Sequence, residues 1–203
     1  EAAYYFQLSA NNGNSKAMFY YANMLYNGEG VEIDKKEAAH YFLLSANNGN
    51  SMAMNNYANM LNTGEGVSVN KKEAANFYKL SADNGNSIAM INYANMLKNG
   101  EGIEVNKEEA AKYYKLSADN GNPIAMINYA NMLKNGEGIE INKEEAAKYY
   151  KLSADNGNST AMNTYAHILM NGEGVEINKE EAAKYYKLSA DKGNSTAMFN
   201  YAN

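Results

Sequence analysis

The sequence predicts an all-α fold in which antiparallel helix pairs stack in a row, with one pair in every 36-residue repeat. Three observations lead to this prediction: glycines with a 36-residue period, apolar residues at helical spacing between them, and helix-start signals at one fixed place in each period. One helix pair of this length cannot bury a sufficient core, whereas stacked pairs share one. We expect a single domain over residues 1–203, with five full periods and a partial repeat at each end.

All 16 glycines lie at two recurring positions. One set closes each period, at Gly13, Gly49, Gly85, Gly121, Gly157 and Gly193, and the other forms the pairs Gly28/Gly30, Gly64/Gly66, Gly100/Gly102, Gly136/Gly138 and Gly172/Gly174. Glycine adopts positive φ readily, and such a residue commonly ends a helix. Both sets therefore predict helix ends. The Gly-Glu-Gly loop lacks a following Lys-Ser/Thr and a preceding strand, so it does not predict a phosphate site.

The first helix of the period, which we name the A helix, is clearest from Ser87 to Asn99. Its apolar residues fall at i, i+1, i+4, i+5 and i+8, the spacing of one helical face (Ala89, Met90, Tyr93, Ala94 and Leu97). Gly100 then ends the helix. In the next period Pro123 takes the first helical position, where a missing N–H is harmless.

The second helix, the B helix, begins at a capping box. Asn106 is followed three residues later by Glu109, and the same box recurs as Asp34/Glu37, Asn70/Glu73, Asn142/Glu145 and Asn178/Glu181. We expect this helix over Asn106–Asn120, with the small and aromatic residues of its inward face buried (Ala110, Ala111, Tyr114, Ser117 and Ala118). Ile103 and Val105, in the loop before it, are expected to pack beneath the helix pair.

Composition argues against several functions. The net charge is −5 and the chain has no arginine, which does not suit a surface that binds nucleic acid. There is no cysteine, and the two histidines, His40 and His167, lie more than three repeats apart. The sequence therefore predicts no catalytic residue, no cofactor and no metal site. No apolar stretch approaches the ~20 residues that span a bilayer, so no direct membrane insertion is expected.

We expect a cytoplasmic location, because a chain without cysteine is compatible with a reducing compartment. The alternative is the ER lumen or secretion, where the sequons Asn158-Ser159-Thr160 and Asn194-Ser195-Thr196 would permit glycosylation. Because the first residue is not Met, we expect the chain to be an excerpt of a longer polypeptide.

The run AMINYANMLKNGEGIEVNKEEAAKYYKLSADNGN (residues 89–122) resembles the Sel1-like repeat, a relative of the tetratricopeptide repeat. Two departures are Tyr93-Ala94 in place of the usual Leu-Gly and Ser117 in place of the first closing Ala. The resemblance covers the whole chain. It implies a right-handed α-solenoid whose A helices line a concave side. It also implies a non-catalytic protein–protein interaction scaffold or adaptor within multiprotein complexes.

The side of the A helices opposite the core is rich in asparagine. Asparagine offers both donors and an acceptor, so it can pair with an extended peptide backbone whatever the peptide sequence. The candidate peptide-binding residues recur with the 36-residue period and form three columns. The first column is Asn23, Asn59, Asn95, Asn131 and His167, which Asn203 continues; the second is Asn56, Asn92 and Asn128; and the third is Asn99 and Asn135, which Asn27 precedes. The resemblance to tetratricopeptide grooves applies most directly to Asn59, Asn95 and Asn131. Neighbouring apolar residues such as Ile88 and Ile124 are candidate anchors.

Two alternatives stay open. Asparagine is abundant throughout the chain, so its columns on the A helices can also be read as solvated surface. The chain is then a structural subunit of a larger assembly, held through its edges or its convex face. The second alternative is a secreted or ER-lumenal repeat protein.

Overall fold

The computed structural model describes residues 1–202, which form twelve helices and no strand. The B helices are α1 (Ala2–Asn11), α3 (Lys35–Asn47), α5 (Lys71–Asp83), α7 (Lys107–Asp119), α9 (Lys143–Asp155) and α11 (Lys179–Asp191). The A helices are α2 (Ser15–Asn27), α4 (Ser51–Thr63), α6 (Ser87–Asn99), α8 (Pro123–Asn135), α10 (Ser159–Asn171) and α12 (Ser195–Ala202). None of these helices has the length and hydrophobicity of a membrane-spanning segment.

The helices form two compact units, Glu1–Val105 with α1–α6 and Asn106–Asn203 with α7–α12. Within each unit every helix packs against the next one along the chain, so an interior B helix contacts the A helix on either side of it. The core of each unit is therefore a continuous series of helix–helix contacts between sequence neighbours.

Alanine and aromatic residues form the core of each helix pair. The ring of Tyr57 meets that of Phe77 edge to face at 5.0 Å, and the same contact recurs as Tyr21–Tyr41, Tyr129–Tyr149 and Tyr165–Tyr185 at 4.9–5.0 Å. Each such pair contributes about 0.5–1.5 kcal/mol beyond area burial. The predicted inward faces of both helices are confirmed, because all ten of their residues are buried (Ala89, Met90, Tyr93, Ala94, Leu97, Ala110, Ala111, Tyr114, Ser117 and Ala118).

The capping boxes start the B helices as predicted. Oδ1 of Asn70 accepts the backbone N–H of Glu73 at 3.1 Å, and the other four boxes make this bond at 2.8–3.0 Å. The return contact differs from the usual box, because the Glu73 carboxylate accepts from the Asn70 side-chain Nδ2 at 2.8 Å. This leaves the Asn70 backbone N–H to donate to the Leu61 carbonyl of the preceding A helix at 2.8 Å. The cap residue thus joins the two helices of a pair.

A buried serine closes the other end of each pair. Oγ of Ser81, near the end of α5, donates to the backbone carbonyl of Ser51, the first residue of α4, at 2.6 Å. Ser45, Ser153 and Ser189 make the same bond at 2.7–2.8 Å. From the sequence, serine at this position differs from the usual alanine only slightly in size, whereas in the structure it makes a specific hydrogen bond.

The expectation for Val105 was wrong, because this side chain is 58% exposed. It lies over the end of α6, where a Cβ on Gly100 would stand 2.8 Å from Val105 Cγ2. Gly100 has φ +73°, so the position needs glycine for its left-handed backbone as well as for space. Ile103 is half-buried, as a residue packed at the margin of the helix pair would be.

The second glycine of the loop lies against the preceding B helix. A Cβ on Gly102 would stand 2.4 Å from the backbone carbonyl carbon of Lys71, the first residue of α5. Gly66, Gly138 and Gly174 make the same approach to Lys35, Lys107 and Lys143. At Gly30, which has the same φ of +73°, the nearest atom is the flexible end of Met24 at 3.7 Å.

Three B-helix tyrosines, Tyr78, Tyr114 and Tyr150, are almost completely buried. Their surroundings favour the neutral phenol, and burial, followed by the charge of a nearby glutamate, raises the pKa of each to about 12. An unfolded tyrosine titrates near pH 10. Between about pH 10 and pH 12 the unfolded chain therefore loses protons that the folded chain keeps.

We expect Gly102→Ala to lower the free energy of unfolding more than Gly30→Ala does, by about 1–3 kcal/mol. Both substitutions place alanine at the same positive φ, but only alanine at position 102 meets backbone atoms. Urea unfolding followed by circular dichroism measures the difference. Equal losses would contradict the close approach of the loop to α5.

We expect the contribution of these three tyrosines to the free energy of unfolding to be constant up to about pH 10 and to be lost from there to about pH 12. The sign follows from the raised pKa in the folded state, because deprotonation then favours the unfolded chain. Tyrosinate absorbance at 295 nm, recorded at pH 11 with and without urea, should show fewer ionised tyrosines in the folded chain. The same absorbance in both states would contradict the burial of these three hydroxyls.

Candidate functional site

The exposed side of the A helices, which we name the amide face, carries all ten candidate residues. In Glu1–Val105 they are Asn23, Asn56, Asn59, Asn92, Asn95 and Asn99, and in Asn106–Asn203 they are Asn128, Asn131, Asn135 and His167. Each is exposed or half-exposed. Asn203, which would continue the first column, lies outside the described residues.

Buried tyrosines orient two amides of the first column. The Tyr78 hydroxyl donates to Oδ1 of Asn59 at 2.6 Å, and that of Tyr150 donates to Oδ1 of Asn131 at 2.5 Å. In each pair the tyrosine is on the B helix that follows the A helix of the asparagine, 19 residues later. Because Oδ1 is used in this way, the amide presents its Nδ2 hydrogens as donors.

The first repeat reverses this arrangement. The residue equivalent to Tyr78 is Phe42, which has no hydroxyl, and the amide of Asn23 turns instead to its own helix. Nδ2 of Asn23 donates to the Phe19 backbone carbonyl at 2.8 Å, so Oδ1 remains as an acceptor. The amide face therefore has donor amides at Asn59 and Asn131 and an acceptor amide at Asn23.

The second column includes a link between neighbouring A helices. Nδ2 of Asn92 on α6 donates to Oδ1 of Asn55 on α4 at 3.0 Å, and Nδ2 of Asn55 in turn donates to Oδ1 of Asn56 at 3.4 Å. Asn200 and Asn163 form the same link in the second unit, at 3.0 Å. The Nδ2 group of Asn92 is therefore used within the fold, whereas Asn56 uses its Oδ1 and is left to donate from Nδ2.

The third column lies next to the Gly-Glu-Gly loops. Asn27, Asn99 and Asn135 each donate from Nδ2 to the loop glutamate two residues later, at 3.1–3.5 Å. Glu101 also pairs with Lys71 at 2.7 Å, and this lysine, with the Asn99 amide, holds the pKa of the Glu101 carboxyl below its ordinary value. These amides thus belong to a charged network along the edge of the amide face.

His167 takes the place of asparagine in the first column of the second unit. Its ring lies 3.0 Å from Nδ2 of Asn171 and 3.8 Å from the carboxylate of Glu173. Lys134 is the closer charged partner of Glu173, at 2.8 Å. The histidine is exposed and lies within the edge network.

A small pocket of about 170 Å³ opens on the amide face where α2, α3 and α4 meet. It is lined by Asn23, Tyr26, Asn27, Phe42, Asn56, Asn59 and Met60. Tyr26 is held at its rim by a hydrogen bond to Glu65 and by Lys35, whose Nζ lies 5.0 Å from the ring centroid. The pocket brings together three candidate residues from two A helices.

The role of the aromatic residues behind the amide face was not predicted from the sequence. Tyr114 is buried in the core as predicted, but no partner was predicted for a hydroxyl at this position. The fixed separation of 19 residues between Asn59 and Tyr78, and again between Asn131 and Tyr150, is the signal that was available. Asn55 was also missed, because its position has no constant residue: it is Phe19, Ile91, Ile127 and Asn163 in other repeats.

The Sel1 repeat model matches residues 1–14, 15–50, 51–86, 87–122, 123–158 and 159–194. Among curated proteins no relative matches the chain. The five matches of 36 residues each begin at the start of an A helix and end just before the next A helix. The repeat length predicted from the glycines is therefore confirmed.

Several solved structures share the fold. The protective antigen c5321 of uropathogenic Escherichia coli, which displays an SLR fold, is 26% identical with a TM-score of 0.93 over 98% of this chain. This chain spans only 43% of the length of that antigen. A Sel1 repeat protein from Oxalobacter formigenes is 26% identical with a TM-score of 0.87, over 93% of this chain and 77% of that one. Cysteine rich protein B of Helicobacter pylori, 17% identical with a TM-score of 0.53 over 64% of this chain and 94% of that one, shows the same type of fold.

These matches confirm the predicted fold class, an all-α solenoid of helix pairs. Sel1 repeat proteins are in general protein–protein interaction scaffolds, and the family is generally non-catalytic. Six matches of the repeat model, together with the two structures that are 26% identical, establish the relationship. The chain belongs to the Sel1 repeat family.

Proposed function

We propose that this chain is a non-catalytic scaffold that binds an extended segment of a partner protein along its amide face. The observation that carries the proposal is the orientation of Asn59 and Asn131 by buried tyrosines. A solvated surface asparagine needs no partner, whereas these amides are held with their donors outward. Donors in fixed positions suit the carbonyl groups of an extended backbone.

The strength of such binding can be bounded. A hydrogen bond contributes about 0.5–1.5 kcal/mol net, so four or five of them give only millimolar to micromolar affinity. Apolar contacts have to add to this. Ile88 and Ile124 are suited to it, since they lie on α6 and α8 and are 58% and 55% exposed. The partner is therefore expected to combine backbone contacts with a few apolar side chains.

Charge has a small part in this recognition. The loop glutamates at the edge of the amide face are already paired, as Glu65 with Lys35 at 3.2 Å and Glu101 with Lys71 at 2.7 Å. Exposed pairs of this kind contribute little to stability and attract no particular sign of charge. The proposed ligand is thus read mainly through its backbone, and its binding should depend weakly on salt.

A second candidate function is supported by the B helices. Leucines at one position of these helices are about half exposed, at Leu8, Leu80, Leu116, Leu152 and Leu188. A repeated aliphatic side chain favours a contact with another subunit, in which the amide face stays empty. The chain would then be a structural member of an assembly.

A cytoplasmic location is part of the proposal. Both sequons place their asparagine at the N-cap of an A helix, where Oδ1 of Asn158 accepts the Ala161 N–H at 3.0 Å and Oδ1 of Asn194 accepts that of Ala197 at 3.0 Å. Glycan on either residue in native material would contradict a cytoplasmic location and favour the lumenal or secreted alternative.

We expect a photo-crosslinking residue at Ile88 to capture a partner and the same residue at Leu116 to capture none. The two positions have matched exposure, 58% and 51%, and lie on an A helix and a B helix. The measurement is mass spectrometry of crosslinked peptides from the native source. Capture at Leu116 alone would support the structural-subunit function and contradict the amide-face function.

We expect Asn59→Asp combined with Asn131→Asp to weaken that capture about tenfold or more, because two pairs of donors become acceptors. The aspartates keep an oxygen for Tyr78 and Tyr150, so thermal unfolding should change little. The control is Asn47→Asp with Asn76→Asp, which adds the same charge on exposed B-helix positions. Equal capture by the two double variants would refute the role of the amide donors.

A further inference from the structure

The pocket between α2, α3 and α4 has a size suited to one side chain. Its volume of about 170 Å³ is well below the ~300–1,000 Å³ of typical small-molecule sites. Phe42 and Met60 line it, and each is only 2% exposed, which places them at its floor. The pocket therefore offers an apolar floor to a short stem, with amides around it.

The absence of charged residues from the lining of the pocket favours a neutral ligand group. Its seven lining residues are asparagine, tyrosine, phenylalanine and methionine, none of which is charged at neutral pH. The carboxylate at the rim, Glu65, is already paired with Tyr26 and with Lys35 at 3.2 Å. A carboxylate or ammonium group entering the pocket would lose hydration without gaining a counter-charge.

The four amides of the pocket are divided into two acceptors and two donors. Asn23 uses its Nδ2 on the Phe19 carbonyl, and Asn27 uses its Nδ2 on Glu29, so the Oδ1 of each is left to accept. Asn59 uses its Oδ1 on Tyr78, and Asn56 uses its Oδ1 on Asn55, so both are left to donate from Nδ2. A guest that satisfies this set carries an N–H donor and a C=O acceptor together.

Phe42 is the residue that allows an acceptor amide at Asn23 beside the donor amides of Asn56 and Asn59. The equivalent Tyr78 and Tyr150 use their hydroxyls on Oδ1 of the column asparagine, which removes the acceptor. At Phe42 no hydroxyl is present, and the Asn23 acceptor is retained. The acceptor that Asn23 provides beside the two donor amides thus depends on one missing oxygen.

We infer that this pocket is a subsite for a carboxamide side chain, glutamine or asparagine, of the bound segment. The carboxamide oxygen accepts from Asn56 and Asn59, its nitrogen donates to Asn23, and its methylene stem lies on Phe42 and Met60. The inference rests on the proposed function, which it deepens by naming an anchor residue of the partner. The bound segment then has a preferred side chain at one place, in addition to backbone contacts elsewhere.

The test uses methyl-labelled methionine and propanamide, the analogue of a glutamine side chain. The chain has 12 methionines, so the methyl spectrum is simple, and the Met60 signal is assigned with Met60→Leu. We expect a saturable shift of the Met60 methyl with propanamide, and much smaller shifts with propionate, which is charged, and with butanone, which lacks the donor. No saturable shift, or equal binding of all three probes, would overturn the inference.

Phe42→Tyr supplies the missing hydroxyl to Asn23 and should weaken propanamide binding about two- to tenfold, the effect of one hydrogen bond. The control is Phe77→Tyr, which adds the same oxygen outside the pocket, at a position where other repeats already have Tyr41, Tyr149 and Tyr185. Asn59→Asp, which keeps the acceptor for Tyr78, should weaken binding as well. Unchanged binding in Phe42→Tyr and Asn59→Asp would overturn the inference.

The two proposals can fail separately. If the residue at Ile88 captures a partner while the Met60 methyl does not respond to propanamide, the scaffold function stands and the subsite is refuted. If the Met60 methyl responds while nothing is captured at Ile88, the pocket binds a carboxamide, but the amide-face function and the assignment of the pocket to a bound segment are both refuted.

Discussion

The contact that four of the five Gly-Glu-Gly loops make with the B helix of the preceding repeat sets the geometry of the other contacts between repeats. Gly66 and Gly102 in the first unit and Gly138 and Gly174 in the second lie so close to a lysine backbone that a Cβ would stand 2.2–2.4 Å from it. This close approach fixes the position of each of these loops against the B helix of the repeat before it. The ion pairs from the loop glutamates to Lys35 and Lys71, and the Asn92–Asn55 bond, follow from that spacing.

Regular stacking gives the asparagines of the A helices two different roles. Where a buried tyrosine or a neighbouring amide takes one end of the side chain, the other end is presented in a defined direction, as at Asn59 and Asn56. Where the amide pairs with a loop glutamate, as at Asn99 and Asn135, it belongs to the edge of the repeat. Asparagine therefore serves both recognition and structure, and its role at each position depends on which group its side chain pairs with inside the fold.

The helices were predictable from the sequence because each has its own local signals. Ser87–Asn99 was correct at both ends, and Lys107–Asp119 is one residue shorter at each end than expected, since Asn106 caps the helix from outside it. Long-range partners were not predictable. Tyr78 and Phe42 look alike as core aromatics, and only the packed structure shows that their one-oxygen difference turns the amides of Asn59 and Asn23 in opposite directions. Val105 was misjudged because an apolar residue in a loop does not reveal whether it lies under the helices or over a glycine.

Selectivity in a repeat protein arises where the repeats differ, because identical modules present identical groups. Residues that recur in every period, such as the capping asparagines, maintain the fold. They cannot select a particular side chain of a ligand, because every repeat presents the same group. Phe42, Asn55 and His167 differ from their equivalents in the next repeat, which are Tyr78, Ile91 and Asn203, and each changes the hydrogen bonding of the amide face beside it. Among these, Phe42 alters the acceptor set of a pocket, whereas Asn55 joins two helices and His167 lies in the edge network. The departure at Phe42 is therefore the one through which a regular amide face can distinguish one extended segment from another.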